Sequence, residues 1–225
     1  SLLIVAEQKP IGEIDRLTLD YRRLLLLGCA GCVTVCLSGG EKETEIMAGA
    51  LRLKRRNEGR PVDIVTRTLT RQCDPEFINE VEELAGEADC IVSLACGVGP
   101  QYLAERFKDK YVVPAMNTRF AGGSVRLGVW EEKCGLCGDC ILHLTGGICP
   151  IVRCPKSVLN GPCGGSRNGK CEIGGDIDCA WILILDRLKK LGRLDTLKQI
   201  IPPMDWSKSR NGGPRRMTRE DLIIE

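Results

Sequence analysis

Apolar runs alternate with amphipathic segments through the first half of the chain. Four short, mainly apolar runs predict strands, at residues 24–27, 62–69, 89–96 and 111–116. Segments of mixed polarity between them predict helices, at residues 41–58, 76–86 and 101–107. Because strands joined through helices pair in parallel, the order predicts a Rossmann-like open α/β sheet over residues 1–125.

The first long helix has signals at both ends. Ser38 and Glu41 have the S-x-x-E spacing of a capping box, which predicts the helix start at Glu41. Gly59 and Pro61 follow as stop signals. The glycines of residues 97–101 lack the full G-x-G-x-x-G spacing, so the pattern gives only weak support for a dinucleotide site.

Cysteines follow three of the four predicted strands. The first strand is followed by Cys29, Cys32 and Cys36, the second by Cys73, and the third by Cys96. Since open parallel sheets bind their ligands beyond the carboxyl ends of the strands, we expect these five thiols to converge there on a metal cluster. Cys90 lies inside a strand, where a buried, inert thiol is expected.

Composition narrows the chemistry further. The 225 residues include 14 cysteines but one histidine, and the net charge is +2. Clustered thiols without histidine favour iron–sulfur clusters or all-cysteine zinc over a mixed zinc site. The small net charge argues against a nucleic-acid partner. Neither a bilayer-spanning apolar run nor a secretion signal is present, so we expect a cytoplasmic protein with reduced thiols.

The second half of the chain changes character, and residues 126–225 are predicted to form a cysteine-rich iron–sulfur unit. Its glycines and prolines leave little apolar surface, so metal is expected to stabilise it. Its candidate ligands are Cys134, Cys137, Cys140, Cys149, Cys154, Cys163, Cys171 and Cys179.

The first three of these cysteines repeat the C-x2-C-x2-C run of a bacterial ferredoxin, which favours a 4Fe–4S cluster over zinc. Cys149 and Cys154 each precede a proline, and either can complete the set. The later thiols leave open another cluster or a zinc site. His143 is expected to be structural rather than a ligand.

The end of the chain is predicted to be a helix followed by an extended tail. Residues 180–200 form an amphipathic pattern that Gly192 interrupts. The tail carries Trp206, Arg215 and Arg216 and fits either an arm laid on a partner or a disordered terminus.

Several motifs together resemble a known family. They are AEQKP near the start, GCAGCVTVC, SLACGVGPQ, and above all CGLCGDCILHLTGGICPIVRCPKSVLNGPCGG with CAW. The chain resembles the small iron–sulfur subunit of acetogen-type methylenetetrahydrofolate reductase, the methylenetetrahydrofolate reductase C-terminal domain family. The resemblance implies 4Fe–4S clusters beside a separate TIM-barrel catalytic subunit, which holds the flavin FMN. It also implies Cys29, Cys32, Cys36 and Cys96 as the first ligand set. The positions of the strand ends leave Cys73 open as the alternative to Cys96 for the fourth ligand.

The implied role is electron transfer and structural support in the methyl branch of the Wood–Ljungdahl pathway. No constellation of catalytic acid, base or nucleophile is recognisable, which fits a non-catalytic subunit. Two clusters are expected, with a third cluster or a zinc left open, and a further electron-donating subunit is also left open. A stand-alone iron–sulfur carrier and a zinc-stabilised interaction module are the alternatives.

Two glycine-rich stretches are candidates for close approach to the flavin subunit, residues 145–154 and 160–165. Arg153, Lys156 and Arg167 lie among them and either offset the charge of a cluster or are simply solvated.

Overall fold

The computed structural model describes residues 3–216. The chain divides into two compact units, Ser1–Glu131 and Glu132–Glu225, named here unit 1 and unit 2. The elements of unit 1, in chain order, are β1 (Leu3–Gln8), α1 (Ile11–Leu17), β2 (Arg23–Cys29), α2 (Cys32–Val35), α3 (Glu41–Asn57), β3 (Asp63–Leu69), α4 (Pro75–Asn79), α5 (Glu82–Glu87), β4 (Cys90–Leu94), α6 (Val98–Arg106), β5 (Tyr111–Pro114), β6 (Met116–Arg126) and β7 (Val129–Cys134). The last residues of β7 belong to unit 2.

A four-stranded parallel sheet forms the centre of unit 1. Its order is β3-β2-β4-β5, and every pair is parallel. All four predicted strands are present, which confirms a mixed α/β class with a parallel sheet. Cys90 is fully buried within β4, as predicted, and burial raises the pKa of its thiol to about 12.

Both faces of this sheet are covered, because alternate side chains of a strand point to opposite sides. Leu24 and Leu26 share a buried cluster with Leu51 of α3. Leu25 and Leu27 share another with residues of α5 and α6. A fully buried leucine contributes about 1.5–3 kcal/mol relative to an exposed one. The run of four leucines is therefore apolar throughout because it is buried on both sides.

A buried ion pair joins α1 to α3. The Arg55 side chain is 2% exposed, and its Nε donates to Asp15 Oδ1 at 2.7 Å. Its remaining donors reach Thr18 Oγ1 at 2.8 Å and the carbonyl of Tyr21 at 3.1 Å. Burial opposes ionisation of Asp15, yet the hydrogen bonds from Arg55 and from Lys54 hold the pKa of its carboxyl below the ordinary value.

A second sheet in unit 1 was not predicted. Its strand order is β1-β6-β7. β1 and β6 are antiparallel, with Leu3 opposite Gly122 and Gln8 opposite Met116. Gly122 and Gly123 lie inside β6. Polar residues, glycines and a register shift between Val5 and Ala6 obscure the two-residue alternation that would have marked these strands.

Several helix boundaries differ from the prediction. The N-cap of α3 is Gly40, and Glu43 Oε2 accepts its backbone N–H at 3.0 Å, so the proposed Ser38 capping box is wrong. The helix expected at 76–86 is two short helices, α4 and α5. α6 begins at Val98 rather than Gln101, because a proline is tolerated in the first turn of a helix. The short helices α1 and α2 were not predicted.

Unit 2 has little regular structure. Its elements are α7 (Pro150–Arg153), β8 (Ser166–Arg167), β9 (Lys170–Cys171), α8 (Ala180–Lys190) and the 3-10 helices Leu194–Lys198, Trp206–Lys208 and Arg210–Gly212. The predicted long helix stops at Lys190, and Gly192 has a φ of +64°, which suits a helix end. A membrane-crossing helix would need greater length and apolarity than any helix in the described part of the chain has.

The apolar core of unit 2 is small. Trp181, Ile184 and Leu188 of α8 form it together with Cys179. The Trp181 Nε1–H donates to the carbonyl of Val158 at 2.8 Å, which fixes the preceding loop against the helix. So small a core is consistent with the expectation that bound metal contributes to the stability of this unit.

Candidate metal centres

Four thiols line one small cavity at the carboxyl edge of the parallel sheet. The cavity has a volume of about 60 Å³, and its sulfur-bearing residues are Cys29, Cys32, Cys73 and Cys96. Cys29 ends β2 and Cys32 begins α2, while Cys73 and Cys96 follow β3 and β4. Parallel pairing brings these strand ends together, so residues far apart in sequence become neighbours.

Cys36 lies apart from these four. Its side chain is buried, with Sγ 3.1 Å from Ser38 Oγ and 3.7 Å from the carbonyl oxygen of Ala6 in β1. The helical turn of α2 separates it from Cys32 and carries it toward the second sheet. Of the four cysteines implied by the resemblance, three line this cavity and Cys36 does not, while Cys73 lines it as well.

The environment of the strand-edge thiols combines burial with backbone donors. Burial raises the pKa of the Cys29 thiol, and the backbone N–H groups of Gly31 and Gln72 offset part of the rise. Burial also raises the pKa of Cys96, and the N–H of Val98 acts in the opposite direction. Hydrogen bonds of this kind to cysteine sulfur are among the features that tune iron–sulfur clusters.

Gln72 holds the strand ends together at this edge of the sheet, a role that the sequence did not predict. Its side chain is fully buried, and Nε2 donates to the carbonyls of Leu27 at 2.8 Å and Gly28 at 3.0 Å. Its Oε1 accepts from Ser93 Oγ at 2.6 Å. Gln72 thus links the ends of β2 and β4 and immediately precedes Cys73. Nothing in the pattern of a polar loop residue could have indicated this role.

Glycines give the loops room around the cavity. A Cβ added at Gly31 would lie 3.4 Å from Cys29 Sγ, so the backbone approaches the sulfur closely. A Cβ at Gly99 would lie 2.6 Å from the Cβ of Ala95 and 2.9 Å from Gln72, closer than real contacts allow. The missing side chain at Gly99 therefore leaves the space that Ala95 and the supporting Gln72 occupy.

A second group of four thiols lies in unit 2. Cys134, Cys137, Cys140 and Cys149 line a cavity of about 340 Å³. The first three are the ferredoxin-like run, and Cys149 stands directly before Pro150 of α7. The alternative, Cys154, is buried at the other end of α7 and is not among the lining residues. The structure thus groups Cys149 with the run.

Left-handed turns arrange the ferredoxin-like run. Leu136 has a φ of +53° and Gly138 a φ of +87°, so the backbone reverses between successive cysteines. Cys134 Sγ accepts the Leu136 N–H at 3.4 Å, and Cys137 Sγ donates to the carbonyl of Asp139 at 3.5 Å. These turns bring thiols three residues apart to one cavity.

The chain end packs on this cysteine loop. Lys208 Nζ pairs with Asp139 Oδ2 at 2.8 Å, and Arg215 Nη1 donates to the carbonyls of Leu136 at 3.0 Å and Lys208 at 3.3 Å. The described part of the predicted tail is thus ordered against its own unit. Residues 217–225 of that tail lie outside the described residues.

The remaining cysteines of unit 2 are spread over other elements. Cys154 and Cys179 are buried, beside α7 and α8. Cys171 ends β9 and is partly buried. Cys163 is exposed, with Sγ 3.7 Å from Lys156 Nζ, and the N–H of Gly165 together with Lys156 lowers the pKa of its thiol.

The other residues singled out from sequence have ordinary surroundings. His143 is exposed and does not line the cavity of the ferredoxin-like run. Lys156 forms an ion pair with Glu172, and Arg167 is exposed at the end of β8. Arg153 lies in the last turn of α7. The hydrogen bond from Lys170 is the main cause that lowers the pKa of the Asp178 carboxyl, and the charge of Arg153 contributes less.

The spacing of the thiols bears on which kind of metal site they could form. Among residues 3–216, no three histidine, cysteine or acidic side chains stand close enough together to hold one metal ion. Tetrahedral zinc, with zinc–sulfur bonds of about 2.3 Å, needs sulfurs about 3.8 Å apart. A 4Fe–4S cluster binds one thiolate at each of four irons and accepts wider spacing. Each cavity is lined by four cysteines, the number and type of ligand that such a cluster takes.

Comparison with known proteins supports one family. Residues 113–207 match the family model described as "Methylene-tetrahydrofolate reductase C terminal". The match covers β6, β7 and the cysteine-rich part of unit 2, and includes all eight cysteines of that unit. A search of curated proteins finds no match.

Proposed function

We propose that the chain is the iron–sulfur subunit of a methylenetetrahydrofolate reductase, and the family match over residues 113–207 supports this proposal. In this proposal it binds a separate TIM-barrel subunit that holds FMN and reduces methylene-tetrahydrofolate to methyl-tetrahydrofolate. The reaction would serve the methyl branch of the Wood–Ljungdahl pathway in the reducing cytoplasm, where thiols stay available for metal. The chain itself carries no part of the folate chemistry.

One observation carries the proposal: two separate cavities are each lined by four cysteines. Cys29, Cys32, Cys73 and Cys96 would hold one 4Fe–4S cluster, and Cys134, Cys137, Cys140 and Cys149 a second. Each set combines neighbouring cysteines with one or two that the fold supplies from a distance. Random burial of free thiols does not account for two such fourfold groups.

The residues around each set of cysteines would position the cluster ligands and adjust the charge around them. Bound 4Fe–4S clusters supply one-electron chemistry, whereas a flavin collects electrons in pairs. Gln72 fixes the strand ends, and the N–H groups of Gly31 and Val98 face the sulfurs. Arg215 lines the cavity of the second set, where a cation favours the more negative, reduced form of a cluster.

The proposal is tested in the complex with the flavin subunit, purified without oxygen. Cys140→Ala should slow electron transfer from a reduced viologen to the folate while FMN stays bound to the partner. Cys90→Ala, at a buried thiol outside both sets, is the control and should leave transfer unchanged. Full turnover with the second cluster absent would make that cluster structural and overturn the relay. A chain that carries zinc and no iron would identify a zinc-stabilised interaction module instead.

A further inference from the structure

A strongly basic groove lies beside the ferredoxin-like run. It has a volume of about 770 Å³ and is lined by Gly138, Lys208, Arg210, Gly213, Pro214, Arg215 and Arg216. Four of these seven residues are cationic and none is acidic. We name this surface the basic groove.

The groove is fixed to the cysteine loop rather than merely near it. Lys208 is paired with Asp139, and Arg215 donates to the Leu136 carbonyl, both within the Cys134–Cys140 loop. A Cβ added at Gly138 would lie 2.2 Å from the carbonyl oxygen of Lys208, so the two backbones are in direct contact. Arg215 lines both the groove and the four-cysteine cavity. Whatever occupies the groove therefore stands next to the proposed cluster.

Most of the positive charge in the groove is uncompensated. Arg215 bonds only to neutral carbonyls, and the side chains of Arg210 and Arg216 pair with no acid among residues 3–216. Lys208 alone has a carboxylate partner, Asp139. An anionic occupant would thus meet three cations whose charge no acidic group among residues 3–216 neutralises.

We propose that the basic groove is the docking site for an acidic protein that carries single electrons. This inference rests on the proposed function, which makes Cys134, Cys137, Cys140 and Cys149 the ligands of a redox cluster. The reduced carrier loses one electron, and the centre held by these cysteines gains it; two such transfers supply the pair that a flavin stores. Trp206, 44% exposed next to Lys208, offers the kind of aromatic contact that anchors protein interfaces.

Binding to a defined carrier tests the groove. The full chain, loaded with iron, is titrated calorimetrically with a plant-type [2Fe–2S] ferredoxin as the acidic probe and with cytochrome c as the basic one. Only the ferredoxin should bind, and its affinity should fall steeply between about 20 and 200 mM salt, over which screening shortens the reach of exposed charges.

Charge reversal locates the site. Arg210→Glu/Arg216→Glu should weaken ferredoxin binding about tenfold or more at low salt, since these two arginines make no ion pair in the described structure. Lys42→Glu/Lys108→Glu makes the same change in net charge at two exposed lysines of unit 1 and should change the affinity by less than about twofold.

The outcomes separate the groove from the clusters. No ferredoxin binding, equal losses in both double variants, or tighter binding of a single-stranded DNA oligonucleotide would overturn the docking site. Iron analysis of the same samples reports on the clusters independently. Groove-dependent ferredoxin binding by a chain without iron would uphold the docking surface while refuting the proposed function.

Discussion

Replacing Gln72 by leucine should destabilise unit 1 substantially, because this one side chain joins the ends of two central strands. The substitution keeps a similar volume but removes two hydrogen bonds donated to the Leu27 and Gly28 carbonyls and one accepted from Ser93. A net contribution of about 1 kcal/mol per hydrogen bond gives a loss of about 3 kcal/mol. The buried Ser93 hydroxyl, left without its acceptor, adds to this loss rather than reducing it.

Urea unfolding of the full chain, followed by circular dichroism, measures the effect. The transition of the Gln72→Leu protein should move to lower urea with an unchanged slope, since the surface exposed on unfolding is the same. Gln101→Leu is the matched control, because Gln101 is exposed and its amide bonds only to the Gly97 carbonyl within the same helix end. Its cost should stay below about 0.5 kcal/mol. A Gln72 variant within that same margin would refute the role assigned to this side chain.

Two further substitutions probe the fold and the cysteine loop. Asp15→Asn should cost about 3–5 kcal/mol near neutral pH, since it leaves Arg55 charged and buried without its partner. Because the folded pKa of Asp15 is lowered, its contribution to the free energy of unfolding is present above about pH 4 and is lost as the pH falls through the folded pKa. The stability of the variant should therefore fall less between neutral pH and acid than that of the wild type. An equal fall in both proteins would contradict the ion pair. Gly138→Ala should free the segment from Asp205 onward, since its Cβ would overlap the Lys208 carbonyl, and limited proteolysis should then cut there; resistance equal to wild type would argue against the packing.

The sequence predicted the parallel sheet because its signals are local. Four leucines in a row, glycines and prolines at helix ends, and cysteines just after strands all act within a few residues. The convergence of Cys29 and Cys96 on one edge follows from parallel pairing alone. Spacing alone could not show that Cys36 lies apart from this cavity, because its position depends on how the single turn of α2 directs the next thiol.

The features that escaped prediction depend on long-range contacts. The β1–β6 pairing joins segments more than a hundred residues apart, and neither strand has a clean alternation. Gln72 is one polar residue in a polar loop, and its importance comes from the carbonyls it meets in another strand. The choice of Cys149 over Cys154 likewise reflects the position of α7, since both cysteines precede proline.

The iron content of two matched cysteine variants tests the central claim most directly. Full-chain protein prepared without oxygen should be brown and contain about eight iron atoms, four for each thiol set. Cys73→Ala should lose about four of them, while Cys36→Ala should keep all eight, because Cys73 lines the strand-edge cavity and Cys36 does not. Colourless protein with zinc alone, or iron lost with Cys36 and kept without Cys73, would contradict the two four-cysteine centres.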